Sequence, residues 1–107
     1  METINEQAIE DYVINIVLGI EGVSRLYVGL TDNISNMLGK DTGTSGVKVI
    51  NNSDVLTINI HLIVKYGINI PQLSYDIQTS VNNKIEEYTG MEVEAVNITV
   101  DGIDRSI

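Results

Sequence analysis

DVLTINIHLIVKYGINIPQLSYDIQTSVNNKIEEYTG, residues 54–90, decides the fold. Leu56, Ile58, Ile60, Leu62 and Val64 alternate without a gap, and Thr57, Asn59, His61, Ile63 and Lys65 hold the other phase. Successive side chains of a strand point to opposite faces, so this is a long strand with one dry face and one mostly polar face. Tyr66-Gly67-Ile68-Asn69 turns the chain, and Pro71 follows with its φ pre-set for a first helical turn. A residue before proline avoids the α region, which predicts a helix starting at Pro71 with Ile70 just outside it. Leu73, Ile77, Val81, Ile85 and Tyr88 recur at helical spacing, with Gln78, Asn82, Asn83, Glu86 and Glu87 off that stripe. Gly90 suits the left-handed residue that closes a helix.

Working outward, Ile9, Tyr12, Val13, Ile16, Val17 and Ile20 form an amphipathic helical stripe. Either Asn5 or the Thr3-x-x-Glu6 capping box opens it. Val23 to Val28 reads as a strand. Leu30, Ile34, Met37 and Leu38 suggest a short helix, and Gly39 to Gly46 a flexible loop. Val47 to Ile50 is a strand, and the turn cluster Asn51-Asn52-Ser53-Asp54 pairs it with Val55–Val64 as an antiparallel hairpin. In the last strand Met91 and Val93 share one parity, whereas Val96, Ile98 and Val100 share the other. Both sets stay dry only if one residue is inserted, which predicts a bulge near Glu94–Ala95. Asp101 to Ile107 reads as a frayed tail.

The order is helix, strand, short helix, strand, strand, helix, strand. One-sided helices and one-sided strands predict a single α+β domain over residues 1–107, a two-layer sandwich with two main helices on one face of a mixed β-sheet. If the strands of Val55–Val100 are parallel, their crossover is right-handed.

Composition narrows the function. The chain has 107 residues, 43% of them hydrophobic, enough for one modest aliphatic core without Phe or Trp. The absence of Cys excludes disulfides, thiolate metal sites and cysteine nucleophiles. The acidic start METINEQAIEDYV is unlike a signal peptide, and no apolar run approaches the ~20 residues of a bilayer span. A cytoplasmic location without direct membrane insertion is the expectation. With 15 acids against 6 bases the net charge is −9, a poor match to nucleic acid or to an anionic membrane surface.

No catalytic, cofactor-binding or metal-binding constellation emerges. Gly39-Lys40 precedes Asp41 and leads to a strand, against the order of a P-loop. Gly43-Thr44-Ser45-Gly46 has the Gly-x-x-Gly form of a KH loop but few bases beside it. His61 is the sole histidine and lies on the polar phase of its strand, without a partner suggested by sequence. The pairs Glu10-Asp11, Glu86-Glu87 and Asp101/Asp104 read as solvated carboxylates, and the five tyrosines as core-edge or corner packing. An aliphatic interior without aromatic plugs motivates an alternative, a small carrier holding an acyl chain between helices and sheet.

LIVKYGINIPQLSYDIQTSVNNKIEEYTGMEVEAVNITVDGI, residues 62–103, resembles the signature of the alkaline shock protein family of Gram-positive general-stress proteins. GIEGVSRL, GLTDNISNMLGK and SGVKVI follow the family's order earlier in the chain. The resemblance covers Ile9 to Ile103 and is closest to the compact members. It implies a non-enzymatic protein acting through protein–protein contacts in stress response, or in envelope or lipid homeostasis. In some relatives the partner is membrane-anchored, which makes a location peripheral to the membrane an extension of the cytoplasmic one. A homo-oligomer is compatible with it.

The same resemblance favours reading the polar sheet face as a partner surface: Thr57, Asn59, His61 and Ile63 on the central strand, with Lys48, Ile50, Asn97 and Thr99 on its neighbours.

Overall fold

The computed structural model describes residues 5–28 and 46–106. They form α1 (Glu6–Leu18), β1 (Val23–Leu26), β2 (Val47–Asn52), β3 (Val55–Lys65), α2 (Ile70–Thr89) and β4 (Glu92–Asp104). The short helix expected around Leu30–Leu38 and most of the glycine-rich loop lie outside the described residues.

β3 is the centre of the sheet. β4 runs parallel to it along one edge from Val55↔Glu92 to Lys65↔Asp104. The other edge is shared end to end by two antiparallel strands: β2 covers Val55 to Ile60, and β1 covers Leu62 to Val64. They meet at His61, whose carbonyl accepts from Tyr27 N–H at 2.8 Å and whose N–H donates to the Gly46 carbonyl at 2.8 Å. β1 and β2 thus act as one edge strand interrupted between residues 27 and 46. At that junction Gly46 has φ +84°, and a Cβ there would meet Leu26 Cβ and Tyr27 O at 3.0 Å and His61 O at 3.1 Å. Only glycine satisfies both the angle and the space.

The inner face carries the expected stripe. Leu56, Ile58, Ile60, Leu62 and Val64 are fully excluded from solvent. Ile9, Val13 and Val17 of α1 and Leu73, Ile77, Val81 and Ile85 of α2 complete this core with Val23, Val47, Val49, Val93 and Val96. Each such buried aliphatic side chain contributes about 1.5–3 kcal/mol of transfer free energy. The architecture is therefore a mixed α+β two-layer sandwich with both described helices on one face.

Several local expectations are refined. Asn5 caps α1, its side chain accepting from Ala8 N–H, while the rival Thr3 lies outside the described residues. α2 begins at Ile70, one residue earlier than the proline rule suggests, because the Asn69 side chain accepts from Gln72 N–H at 3.0 Å and fixes the cap there. The hairpin turn is the two-residue loop Ser53-Asp54, with φ +52° and +75°, the sign pattern of a type I′ turn. The predicted bulge exists: Leu56 pairs with Val93 and Thr57 with Ala95, leaving Glu94 extra. A second bulge leaves Asp101 extra between Val100 and Gly102. The expected frayed tail is corrected accordingly, since β4 pairs with β3 as far as Asp104.

Candidate functional site

Cross-strand pairing assigns the outer face row by row, because directly paired residues share a face. Ile50, Thr57 and Ala95 form one row, and Lys48, Asn59 and Asn97 the next. His61 and Thr99 follow, and the alternation of β1 places Tyr27 beside them. Arg25, Ile63 and Gly102 make the fourth row, and Lys65 with Asp104 the last. The structure therefore brings Lys48, Ile50, Thr57, Asn59, His61, Ile63, Asn97 and Thr99 onto one surface, opposite both helices.

Those residues differ in accessibility. Asn97 and Thr99 are exposed, whereas Thr57, Asn59, Lys48 and Ile50 are half-buried. Ile63 is only 6% exposed although it belongs to the outer face and not to the core cluster. A Cβ built on Gly102 would lie 3.0 Å from Ile63 Cδ1, so the isoleucine lies flat across the glycine beside it. Ile63 therefore supports this surface from beneath and presents little to a partner, which corrects its expected place on the exposed face.

His61 is not isolated either. Its Nδ1 lies 2.9 Å from Asp101 Oδ2, a contact that sequence proximity could not suggest because 40 residues separate the two. Asp101 follows the inward Val100 and so alternates onto the outer face, and the bulge it makes keeps Gly102 on that face as well. An ionised carboxylate only accepts, so Nδ1 carries the proton and the half-exposed ring turns Nε2 outward. Next to this pair the Asn97 side-chain amide donates to Asn59 Oδ1 at 2.9 Å. Further along, Asp104 accepts from the Ser24 hydroxyl at 2.6 Å, from the Ser106 N–H at 2.9 Å and from the Ser106 hydroxyl, with the Arg25 guanidinium 3.5 Å away. The Ser106 hydroxyl, then the Ser24 hydroxyl, the Ser106 N–H and the Arg25 charge hold this carboxyl well below the usual carboxylate range.

The acids read as plainly solvated also divide. Glu10 Oε2 accepts from Val49 N–H of β2 at 3.4 Å, and Glu86 Oε2 from Val93 N–H of β4 at 2.9 Å. Gln78 donates to the Val96 carbonyl at 3.0 Å. Side chains of both helices thus cover polar groups of the two sheet edges, which blunts edge-to-edge pairing. Among the tyrosines, the Tyr12 and Tyr88 rings meet between α1 and α2 with centroids 4.6 Å apart and planes tilted by 47°, and Arg105 lies 4.8 Å over the Tyr66 ring.

Among the described residues no group of three or more His, Cys, Asp or Glu is placed to hold a metal ion. No helix among them is long and apolar enough to cross a membrane. Among the described residues, clefts of about 420 and 360 Å³ lie at opposite ends of the sheet. The larger is lined by Glu21, Gly22, Lys65, Tyr66, Ile68, Asp104 and Ser106, the smaller by Glu86, Gly90, Met91 and Glu92.

Fold and face together define a small helix-on-sheet domain whose polar surface is a flat sheet face rather than an enclosed pocket. The chain belongs to the alkaline shock protein 23 family, described as having a cell envelope-related function, which it matches over residues 2–105. It is similar to the uncharacterised protein YloU of Bacillus subtilis, 30% identical over 74 residues that span 69% of this chain and 62% of YloU. It is also 26% identical to the uncharacterised protein YqhY of the same organism, over 85% of this chain and 71% of YqhY. The uncharacterised protein Spy1535 of Streptococcus pyogenes is 29% identical over 95% of this chain and 81% of its own length. No solved structure matches the chain.

Proposed function

We propose that this domain is a non-enzymatic docking module serving the cell envelope, and that its partner surface is the outer face of the sheet. The observation that carries the proposal is the asymmetry of the sheet: both described helices cover the inner face, while the rows from Ile50–Thr57–Ala95 to Arg25–Ile63–Gly102 mix aliphatic and polar side chains on the other. Such a mixed surface supplies contact area together with hydrogen-bond groups that set register. The family's cell envelope-related description supports the setting. A role in stress response and a location in the cytoplasm or beside the membrane, reached through a membrane-anchored partner, belong to the same proposal.

The carrier alternative finds no comparable support. Among the described residues, the space between the layers is filled by side chains of the core cluster.

Site-specific photocrosslinking tests the docking role. A photoreactive residue at the exposed Thr99 is expected to trap one defined protein in cells, and the same group at the exposed Thr79 of α2 is not. Adding Asn97→Glu to the Thr99 probe is expected to abolish the adduct without lowering the melting temperature. Equal trapping from Thr79, or an adduct that survives Asn97→Glu, transfers the docking role to the helical layer.

A further inference from the structure

Charge is segregated between the two layers. α1 and α2 carry Glu6, Glu10, Asp11, Asp76, Glu86 and Glu87 against the one base Lys84. Among the described residues, the rows of the outer sheet face from Lys48–Asn59–Asn97 to Lys65–Asp104 hold two carboxylates, and both are already engaged. Asp101 accepts from His61, and Asp104 from Ser24 and Ser106 with Arg25 beside it. Glu92 and the bulged, exposed Glu94 stand at the far end of the sheet, level with Val55 and with Leu56–Thr57. What remains around His61 is donor capacity: the exposed Arg25 guanidinium, the Asn59 amide N–H groups, the Thr99 hydroxyl and, once protonated, His61 Nε2.

We propose that the partner of this face docks through an acidic protein segment, one carboxylate of which takes His61 Nε2 while others reach Arg25. This rests on the docking role proposed above. In a chain of net charge −9, the rows around His61 are where, among the described residues, incoming carboxylates meet donors rather than further free acids. The geometry also couples docking to a proton. Asp101 fixes the first proton on Nδ1, so the second can bind only at Nε2, where a partner carboxylate stabilises the imidazolium. Among the described residues, the other groups facing His61 are Thr99 from β4 and, from the opposite edge, Tyr27 and Lys48, with Arg25 one row away. None of these adds a carboxylate. The complex therefore forms with uptake of a proton and tightens as pH falls.

The test uses the full chain, ¹⁵N-labelled, titrated at low salt with three capped heptapeptides that differ only in carrying glutamate, glutamine or lysine at the same positions. The glutamate peptide is expected to shift the amides of Asn59, His61, Asn97 and Thr99, binding about threefold tighter near pH 6 than near pH 8. His61→Gln should abolish that pH dependence while leaving the other amide positions in place. Arg25→Gln should weaken binding about threefold at either pH. If the glutamine peptide produces the same shifts, the face docks a partner without carboxylates, and this proposal falls while the docking role stands. It falls equally if inorganic phosphate at matched charge reproduces the shifts, which would indicate a general anion site. Shifts confined to α1 and α2 overturn both the acidic partner and the docking role of the sheet.

Discussion

The two faces of β3 are built from the same eleven residues and obey different rules. On the inner face Leu56, Ile58, Ile60, Leu62 and Val64 are interchangeable in kind: each is aliphatic, fully excluded and packed against two helices. On the outer face every residue has its own circumstances. Thr57 is half-buried, Asn59 accepts from Asn97, His61 is held by Asp101, and Ile63 is nearly as buried as the core while lying outside it. Burial of apolar surface is non-directional, so a face that depends on it needs only the right period and volume. A polar face depends on particular partners, each set by register.

The largest expected effect breaks the inner face. Ile60→Asn leaves a cavity and an amide without partners in a site of zero exposure, and should cost about 4 kcal/mol by urea denaturation. Next comes the edge both faces share. Gly46→Val combines a positive φ with contacts of 3.0–3.1 Å to Leu26, Tyr27 and His61, and should cost about 3 kcal/mol. The comparison position is Gly67, at φ +87° with no heavy atom within 4 Å of its added Cβ. Gly67→Val suffers the backbone strain alone and should cost about half as much. Equal losses at the two glycines would mean that the crowding at His61 is readily relieved.

Ile63→Glu sharpens the difference between the faces. A residue truly open on a partner surface tolerates a charge within about 0.5 kcal/mol. At 6% exposure the carboxylate must instead displace Gly102 or lose its water, and the loss should be about 2–3 kcal/mol. A thermal melt unchanged by this substitution would return Ile63 to the exposed surface and restore the simple alternation of the strand.

This contrast also explains what the sequence made legible. The inner stripe, both long helices, the hairpin and the bulge at Glu94 follow from period and parity, which are local properties. The bulge at Asp101 leaves a single trace, the odd-numbered Ile103 after the even-numbered Val96, Ile98 and Val100. One residue beside a glycine does not establish a phase, so residues from 101 onward read as a tail. The His61–Asp101 contact depends on a parallel register spanning a whole helix, which spacing does not encode. Likewise Glu10, Gln78 and Glu86 sit off their helical stripes, and only the position of the sheet edges shows that they bind backbone groups there.

The smallest effect distinguishes two carboxyls by the sign of their response to pH. Asp104 has a folded pKa depressed below its unfolded value, so its stabilisation is present above the unfolded pKa and is lost as pH falls. Glu10 runs the other way. Burial against β2 raises its pKa, opposed by the Val49 N–H and the Lys48 charge. The protonated form is therefore the one favoured in the fold, and its contribution is fully present below the unfolded pKa and lost as pH rises through the folded one. Glu10→Gln removes the charge and keeps a carbonyl oxygen for Val49, so relative to the parent chain it should gain stability from about pH 4 to pH 7. The gain should be a few tenths of a kcal/mol, since water screens a half-exposed carboxylate. Asp104→Asn should instead flatten the loss of stability on the acid side. Urea midpoints of the three proteins from about pH 7 down to about pH 2 give both slopes. A Glu10→Gln variant that loses ground as pH rises would show that the edge amide of β2 stabilises the charged form more than burial opposes it.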